Sequence, residues 1–204
     1  MKGALFDLDG VLIDSETLYT GFWENIDKLY PTGIPNFAIK IKGTTLDMIF
    51  RHFPDADVQA DILRRLNRFQ QEMRFEMYPY AEDFLRRLRA AGIPIALVTS
   101  SDEKKMDSLF AQLPTLRDYF DAIIHAGLIT HSKPHPEPYL KGAQAIGISP
   151  DECCVFEDSL QGLAAGRASG AKVVALATTY PADRLADLAD MVVSDFKDLD
   201  ISRL

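Results

Sequence analysis

Residues 2–10 read KGALFDLDG, an apolar run from Gly3 to Leu8 that Asp7 interrupts and Asp9-Gly10 closes. Such a run, bounded by a turn dipeptide, predicts a buried strand with acids at its carboxyl end. The pattern returns downstream. Ile93–Val98 (IPIALV) ends at Thr99-Ser100-Ser101, Ala122–Ile124 is short and apolar, and Cys153–Phe156 (CCVF) closes on Glu157-Asp158. Val173–Leu176 and Met191–Val193 complete the series. Helical patterns lie between them: 81–91, with Phe84, Leu85 and Leu88 on one face and Gly92 behind, then 103–113, 136–147, and 159–169 before Gly170. Strands alternating with helices require crossover connections, which predicts an α/β fold with a doubly wound, Rossmann-like core and a mostly parallel sheet.

Residues 15–80 break that rhythm. Asp14-Ser15-Glu16 offers a helix start before the stripe Leu18, Phe22, Ile26, Leu29, and Tyr30-Pro31-Thr32-Gly33 stops it. Residues 57–77 read as one long helix or two shorter ones, and no strong strand is visible. The expected organisation is therefore a core of residues 1–14 and 81–204 carrying an inserted helical module, residues 15–80. A net charge of −8 argues against nucleic-acid or anionic-membrane surfaces. No apolar stretch approaches the roughly 20 residues of a membrane span. Cys153 and Cys154 are adjacent, poorly placed to pair, and read as buried free thiols suited to a reducing compartment. With no signal-peptide pattern at the start, the expected setting is cytoplasmic. Nothing demands more than a monomer.

In open α/β sheets, ligands bind at the carboxyl ends of the strands. Those ends carry Asp7 and Asp9, then Thr99 and Ser100, then Glu157 and Asp158, with Lys133 in the loop after Ala122–Ile124. A carboxylate ending an apolar run is costly to desolvate without a partner. Any single one could cap the next helix. For acids, hydroxyls and an amine gathered at several strand ends, coincidence is a poor account. The chemistry they fit is phosphoryl transfer. A carboxylate is a competent nucleophile toward phosphorus, and the charge on the equatorial oxygens calls for a cation, an ammonium and hydroxyl donors. A second carboxylate can protonate the leaving group and later activate water. Magnesium takes one or two carboxylates plus waters and substrate phosphate, which Asp7 and Asp158 could supply.

Phe6–Leu12 (FDLDGVL) resembles the first motif of the haloacid dehalogenase superfamily. The other motifs follow in order: Thr99 after an apolar strand, Lys133–Tyr139 (KPHPEPY), and Val155–Gly162 (VFEDSLQG). The resemblance runs from end to end of the chain, toward the β-phosphoglucomutase-like and phosphatase branch with a small helical cap. It implies Asp7 as nucleophile and metal ligand, and Asp9 as general acid/base that lends its backbone carbonyl to the metal. It further implies that Thr99 holds the phosphoryl group while Lys133 neutralises it and orients Asp7. Asp158 would be a direct magnesium ligand and Glu157 a direct or water-mediated one. Residues 15–80 match the cap, with Lys42-Gly43-Thr44 where the family commonly places a substrate loop, although a plain turn fits as well. Ser100 could bind phosphate or start the next helix. Glu16 could face the site or serve as a first-turn acid. Gly162, Phe22 and Trp23 read as packing, and Arg64, Arg65 and Arg68 as a solvated face. His125, His131 and His135 show no metal-ligand spacing.

These readings predict a magnesium-dependent phosphatase that acts on a small phosphorylated metabolite, a sugar phosphate among the candidates, through an aspartyl-phosphate. The alternative within the resemblance is a β-phosphoglucomutase-type mutase. Two departures count against it: those mutases place a histidine in the first cap helix where this chain has Tyr19, and an arginine in the cap loop where it has Leu46. A dehalogenase does not need the acid at Asp9. A non-catalytic binding module predicts the loss of a motif residue, and none is missing.

Overall fold

The computed structural model describes residues 1–204, with the side chain of Glu16 lying outside the described residues. Six strands form a single parallel sheet in the order β3-β2-β1-β4-β5-β6, with β1 Gly3–Phe6, β2 Ile95–Val98, β3 Ala122–Ile124, β4 Cys153–Glu157, β5 Lys172–Leu176 and β6 Met191–Val193. The strands expected from the sequence are all present, and the sheet is wholly parallel. Asp7 falls just outside β1, whereas Glu157 is the last residue of β4, one beyond the expected CCVF run. From β1 the chain moves outward through β2 and β3, then returns to lay β4 on the other side of β1. The reversal opens a crevice at the carboxyl ends of β1 and β4, where such sheets bind ligands.

The central strands are apolar on both faces because helices cover both. On one face Phe6 stacks on Phe156 at 4.3 Å, and Phe84 of α5 (Ala81–Ala90) stacks on Phe196 at 5.0 Å. Each such pair is worth about 0.5–1.5 kcal/mol beyond its buried area. Met106 and Leu109 of α6 (Glu103–Gln112) join the same core. On the opposite face Leu5, Val98 and Val155 pack with Tyr139 of α7 (Glu137–Ala145) and Leu163 of α8 (Leu160–Ser169). The buried thiols of Cys153 and Cys154 sit within β4, where burial pushes them up to about 11 and 12 respectively.

Between β1 and β2 the chain forms α1 (Glu16–Leu29), α2 (Phe37–Lys40), α3 (Leu46–Phe50) and α4 (Ala56–Glu72). These helices enclose their own apolar cluster, including Trp23, Phe37, Phe53 and Ile62. Helix α4 stops at Glu72, short of the expected 57–77, because Met73 turns extended (ψ 135°). The chain then runs back alongside the outgoing connection: Ile13 bridges Met77, Asp14 N donates to Glu76 O, and Tyr78 N donates to Leu12 O. Two paired strands of connection thus carry the helical segment. Arg64 and Arg65 pair with Asp61, and Arg68 with Glu72, along the solvated face of α4. A short helix α9 (Ala182–Leu185) was not evident from the sequence pattern. Among the described residues no helix is long and apolar enough to cross a membrane.

Candidate active site

The side chains at the strand ends converge around one ammonium group. Lys133 Nζ lies 2.7 Å from Asp7 Oδ1, 2.6 Å from Glu157 Oε1 and 3.2 Å from Val98 O. The three side chains are almost wholly buried. Burial opposes the charge on Lys133, but the Asp7 and Glu157 carboxylates outweigh it and hold the ammonium above its ordinary range. Asp7 shares that cation with Glu157, so burial prevails there and pushes its carboxyl up from the ordinary carboxylate range. Glu157 accepts five hydrogen bonds, from Lys133 Nζ and Tyr139 OH on Oε1 and from Asp158 N, Ser159 N and Ser159 Oγ on Oε2. It orients the lysine and shapes the turn into α8.

Two glycines make this approach possible. A Cβ on Gly162 would fall 1.7 Å from Glu157 Oε1, so the packing role expected for Gly162 is room for that carboxylate. A Cβ on Gly10, whose φ is +79°, would fall 2.1 Å from Asp158 Oδ2. Carboxylate oxygens of Asp7, Glu157 and Asp158 consequently lie within 4.8 Å of one another.

Asp9 sits apart from that group. Both its oxygens lie 2.5 Å from Lys105 Nζ, and it also accepts from Ser15 Oγ and from Ser101 Oγ at 2.9 Å. Burial would raise its carboxyl, yet Lys105 and the two hydroxyls reverse that and hold it below the usual range. Ser15 commits its hydroxyl here and not to the start of α1, which has no side-chain cap. Thr99 is buried and accepts from Ser101 N at 3.0 Å, a bond that uses a lone pair and not its hydroxyl proton. Ser100 donates to Gly43 O at 3.0 Å, tying the strand end to the helical segment.

A cavity of about 970 Å³ opens over these groups. Asp7, Asp9, Thr99, Ser100 and Asp158 line its floor at the strand ends, and Lys42, Gly43, Thr44 and Leu46 line it from the helical segment. The Thr44 hydroxyl donates to Ile41 O, within its own turn. Trp23 belongs to the helical cluster and also borders the cavity, while Phe22 stacks on Phe69 at 4.9 Å.

The family model for the haloacid dehalogenase-like hydrolases matches residues 1–170. The chain belongs to that family. Among haloacid dehalogenase-like relatives, it is 31% identical over 209 residues to hexitol phosphatase A of Escherichia coli strain K12, spanning 99% of this chain and 94% of that one. It is 30% identical to glycerol-1-phosphate phosphohydrolase 1 of Saccharomyces cerevisiae, spanning 98% of this chain and 84% of that one. The fold matches a crystal structure of β-phosphoglucomutase from Clostridium difficile with a TM-score of 0.80 at 21% identity, covering 100% and 95% of the two chains.

Within this candidate site, the sequence reading missed Ser15, Ser101, Lys105 and Tyr139. Each sits in or beside a helix, where its type is ordinary. The histidines also gain a context that spacing did not suggest: the His131 and His135 rings lie 4.6 Å apart at the cavity mouth, and Glu137 binds His131 Nδ1 at 2.8 Å. His125 caps a single helical turn.

Proposed function

We propose that the protein is a phosphatase that transfers the phosphoryl group of a small phosphorylated metabolite first to Asp7 and then to water. The observation that carries this reading is the Lys133 ammonium held between Asp7 and Glu157 at the ends of β1 and β4, under a cavity also lined by Thr99 and Asp158. Relatives named for phosphatase action on hexitol and glycerol phosphates support it. In this reading residues 15–80 form a cap over a core of residues 1–14 and 81–204, and shield the site from bulk solvent.

The donor set fits a divalent cation. Three buried carboxylates, Asp7, Glu157 and Asp158, face a single ammonium, which leaves uncompensated negative charge among hard oxygen donors. Asp7, Asp158 and the Asp9 carbonyl would hold magnesium. Glu157, with both oxygens already accepting hydrogen bonds, would act behind them. When bound, the ion neutralises charge on the transferring phosphoryl group.

The cycle then follows from the residues. Asp7 attacks phosphorus and the ester P–O bond breaks with its electron pair on the leaving oxygen. Asp9, held below the ordinary carboxylate range by Lys105 in this arrangement, takes up a proton as substrate enters and passes it to that oxygen. Lys133 and Thr99 stabilise the equatorial oxygens. Water then attacks the aspartyl-phosphate while Asp9 takes its proton; the P–O bond to Asp7 breaks with its electron pair returning to the Asp7 carboxylate, inorganic phosphate leaves, and the Asp9 carboxyl is again protonated for the next turnover.

Tyr19 favours release to water over return to a sugar. It lines the cavity, and burial, only partly opposed by Lys105, holds its phenol above the ordinary range. A phenol that stays protonated does not take the base role of an imidazole.

The test is hydrolysis of 4-nitrophenyl phosphate, followed by a panel of polyol and sugar phosphates. Activity should require magnesium, vanish with EDTA, and fall by about 10⁴-fold or more in Asp7→Asn. Activity that survives EDTA or that substitution removes the mechanism. Clean conversion of β-glucose 1-phosphate to the 6-phosphate without free phosphate, read by phosphorus NMR, would replace phosphatase with mutase.

A further inference from the structure

We propose that Lys105 is the positioning residue for the acid/base carboxylate Asp9, and that Tyr19 couples this position to the helical segment. The inference rests on the phosphatase reading above, in which Asp9 protonates the leaving group.

Lys105 is 4% exposed, and its ammonium meets both oxygens of Asp9 at 2.5 Å. Two contacts from one cation fix the carboxylate in direction as well as in place. The lysine is itself well anchored. Its backbone N donates to Asp102 Oδ1 at 2.9 Å, in the cap that starts α6, so the stem leaves a fixed first turn. The same turn supplies Ser101, whose hydroxyl donates to Asp9 and whose N–H donates to Thr99 Oγ1. Residues 99–105 therefore link the group proposed to hold phosphate to the one proposed to hold the leaving-group proton.

The other side of the ammonium faces the helical segment. Lys105 Nζ lies 4.2 Å from the centre of the Tyr19 ring in α1, and the Tyr19 hydroxyl accepts from Gln70 Nε2 of α4 at 3.3 Å. A cation over an aromatic face is attracted to it, more so when water is excluded. The contact runs from Asp9 through Lys105 and Tyr19 to Gln70, and all four line the cavity. Moving α1 moves the ring against which Lys105 rests, and hence the carboxylate. A lysine that merely neutralised a buried acid would need neither the cavity wall nor the ring.

The experiment measures first-turnover release of phenol and of 4-nitrophenol from the two aryl phosphates, with magnesium, for the full chain. The esters have closely similar shapes, but phenol departs poorly without a proton and nitrophenol departs readily. Lys105→Met should slow phenol release about tenfold more than nitrophenol release. Lys105→Arg should recover part of that difference, and Tyr19→Leu should shift the ratio in the same direction by less. Asp9→Asn is the reference. If Asp9→Asn discriminates between the esters while Lys105→Met slows both equally, the lysine is only structural and the inference fails, with the phosphatase reading intact. If Asp9→Asn does not discriminate either, the acid role of Asp9 fails, and the inference with it. Should Lys105→Met not fold, the same ratio in Lys105→Arg and Tyr19→Leu decides.

Discussion

The cavity floor holds two buried lysine–carboxylate centres, and they divide their charge differently. At the first, one ammonium serves two carboxylates, Asp7 and Glu157, with Asp158 close by. At the second, one ammonium faces the single carboxylate of Asp9, with two serine hydroxyls assisting. The first centre carries excess negative charge and suits a metal and a phosphoryl group. The second is balanced and holds one carboxylate in a fixed direction. The difference should show in stability without metal. Lys133→Met strands two acids whose side chains are 9% and 0% exposed, and should cost about 3–5 kcal/mol. Lys105→Met strands one acid that is 16% exposed and keeps its serines, and should cost about 1–3 kcal/mol. Urea unfolding in EDTA measures both, and equal costs would break the comparison.

A smaller effect tests the scaffold of the first centre. Alanine normally stabilises a helix over glycine by about 1 kcal/mol. Within α8, however, a Cβ on Gly162 would strike Glu157, whose carboxylate holds Lys133. Gly162→Ala should therefore destabilise by about 1–3 kcal/mol. Gly21 in α1, where a Cβ would meet nothing within 4 Å, is the control: Gly21→Ala should stabilise by about 0.5–1 kcal/mol. Opposite signs in the urea midpoints are the expected result.

The two centres also differ in how far the sequence reveals them. Asp7, Thr99, Glu157 and Asp158 stand out because each ends an apolar strand, where a polar group demands a reason. Lys133 is found by its loop and by the family motif around it. Lys105 gives no such signal, since it follows Lys104, and adjacent lysines on a helix usually both face water. Only its position relative to Leu109, four residues on and buried, puts it on the inward face while Lys104 stays exposed. The sheet was legible almost strand by strand for the same reason, as continuous apolar runs have few alternatives. Within residues 15–80, the short helices α2 and α3 depend on packing with α1 and α4, so local pattern does not resolve them.

The smallest expected effect comes from an ion pair of similar chemistry placed at the surface. Asp61 accepts from Arg65 Nε at 2.6 Å, Tyr30 OH at 2.7 Å and Arg64 at 2.8 Å, and these bonds, led by that from Arg65, hold its carboxyl down at about 2. A folded pKa below the unfolded value of about 3.9 stabilises the protein at pH above that value. The contribution is lost as pH falls through about 2, where the folded carboxylate itself takes a proton. The urea-midpoint difference between wild type and Asp61→Asn should thus be constant above pH about 4, shrink toward pH 2, and weaken with added salt. The salt response separates this pair from the two in the cavity floor, because an exposed ion pair is screened far more than one whose groups are almost wholly buried. If salt weakened the Lys133 pair as readily as the Asp61 pair, burial would not be what sets the strength of the first centre.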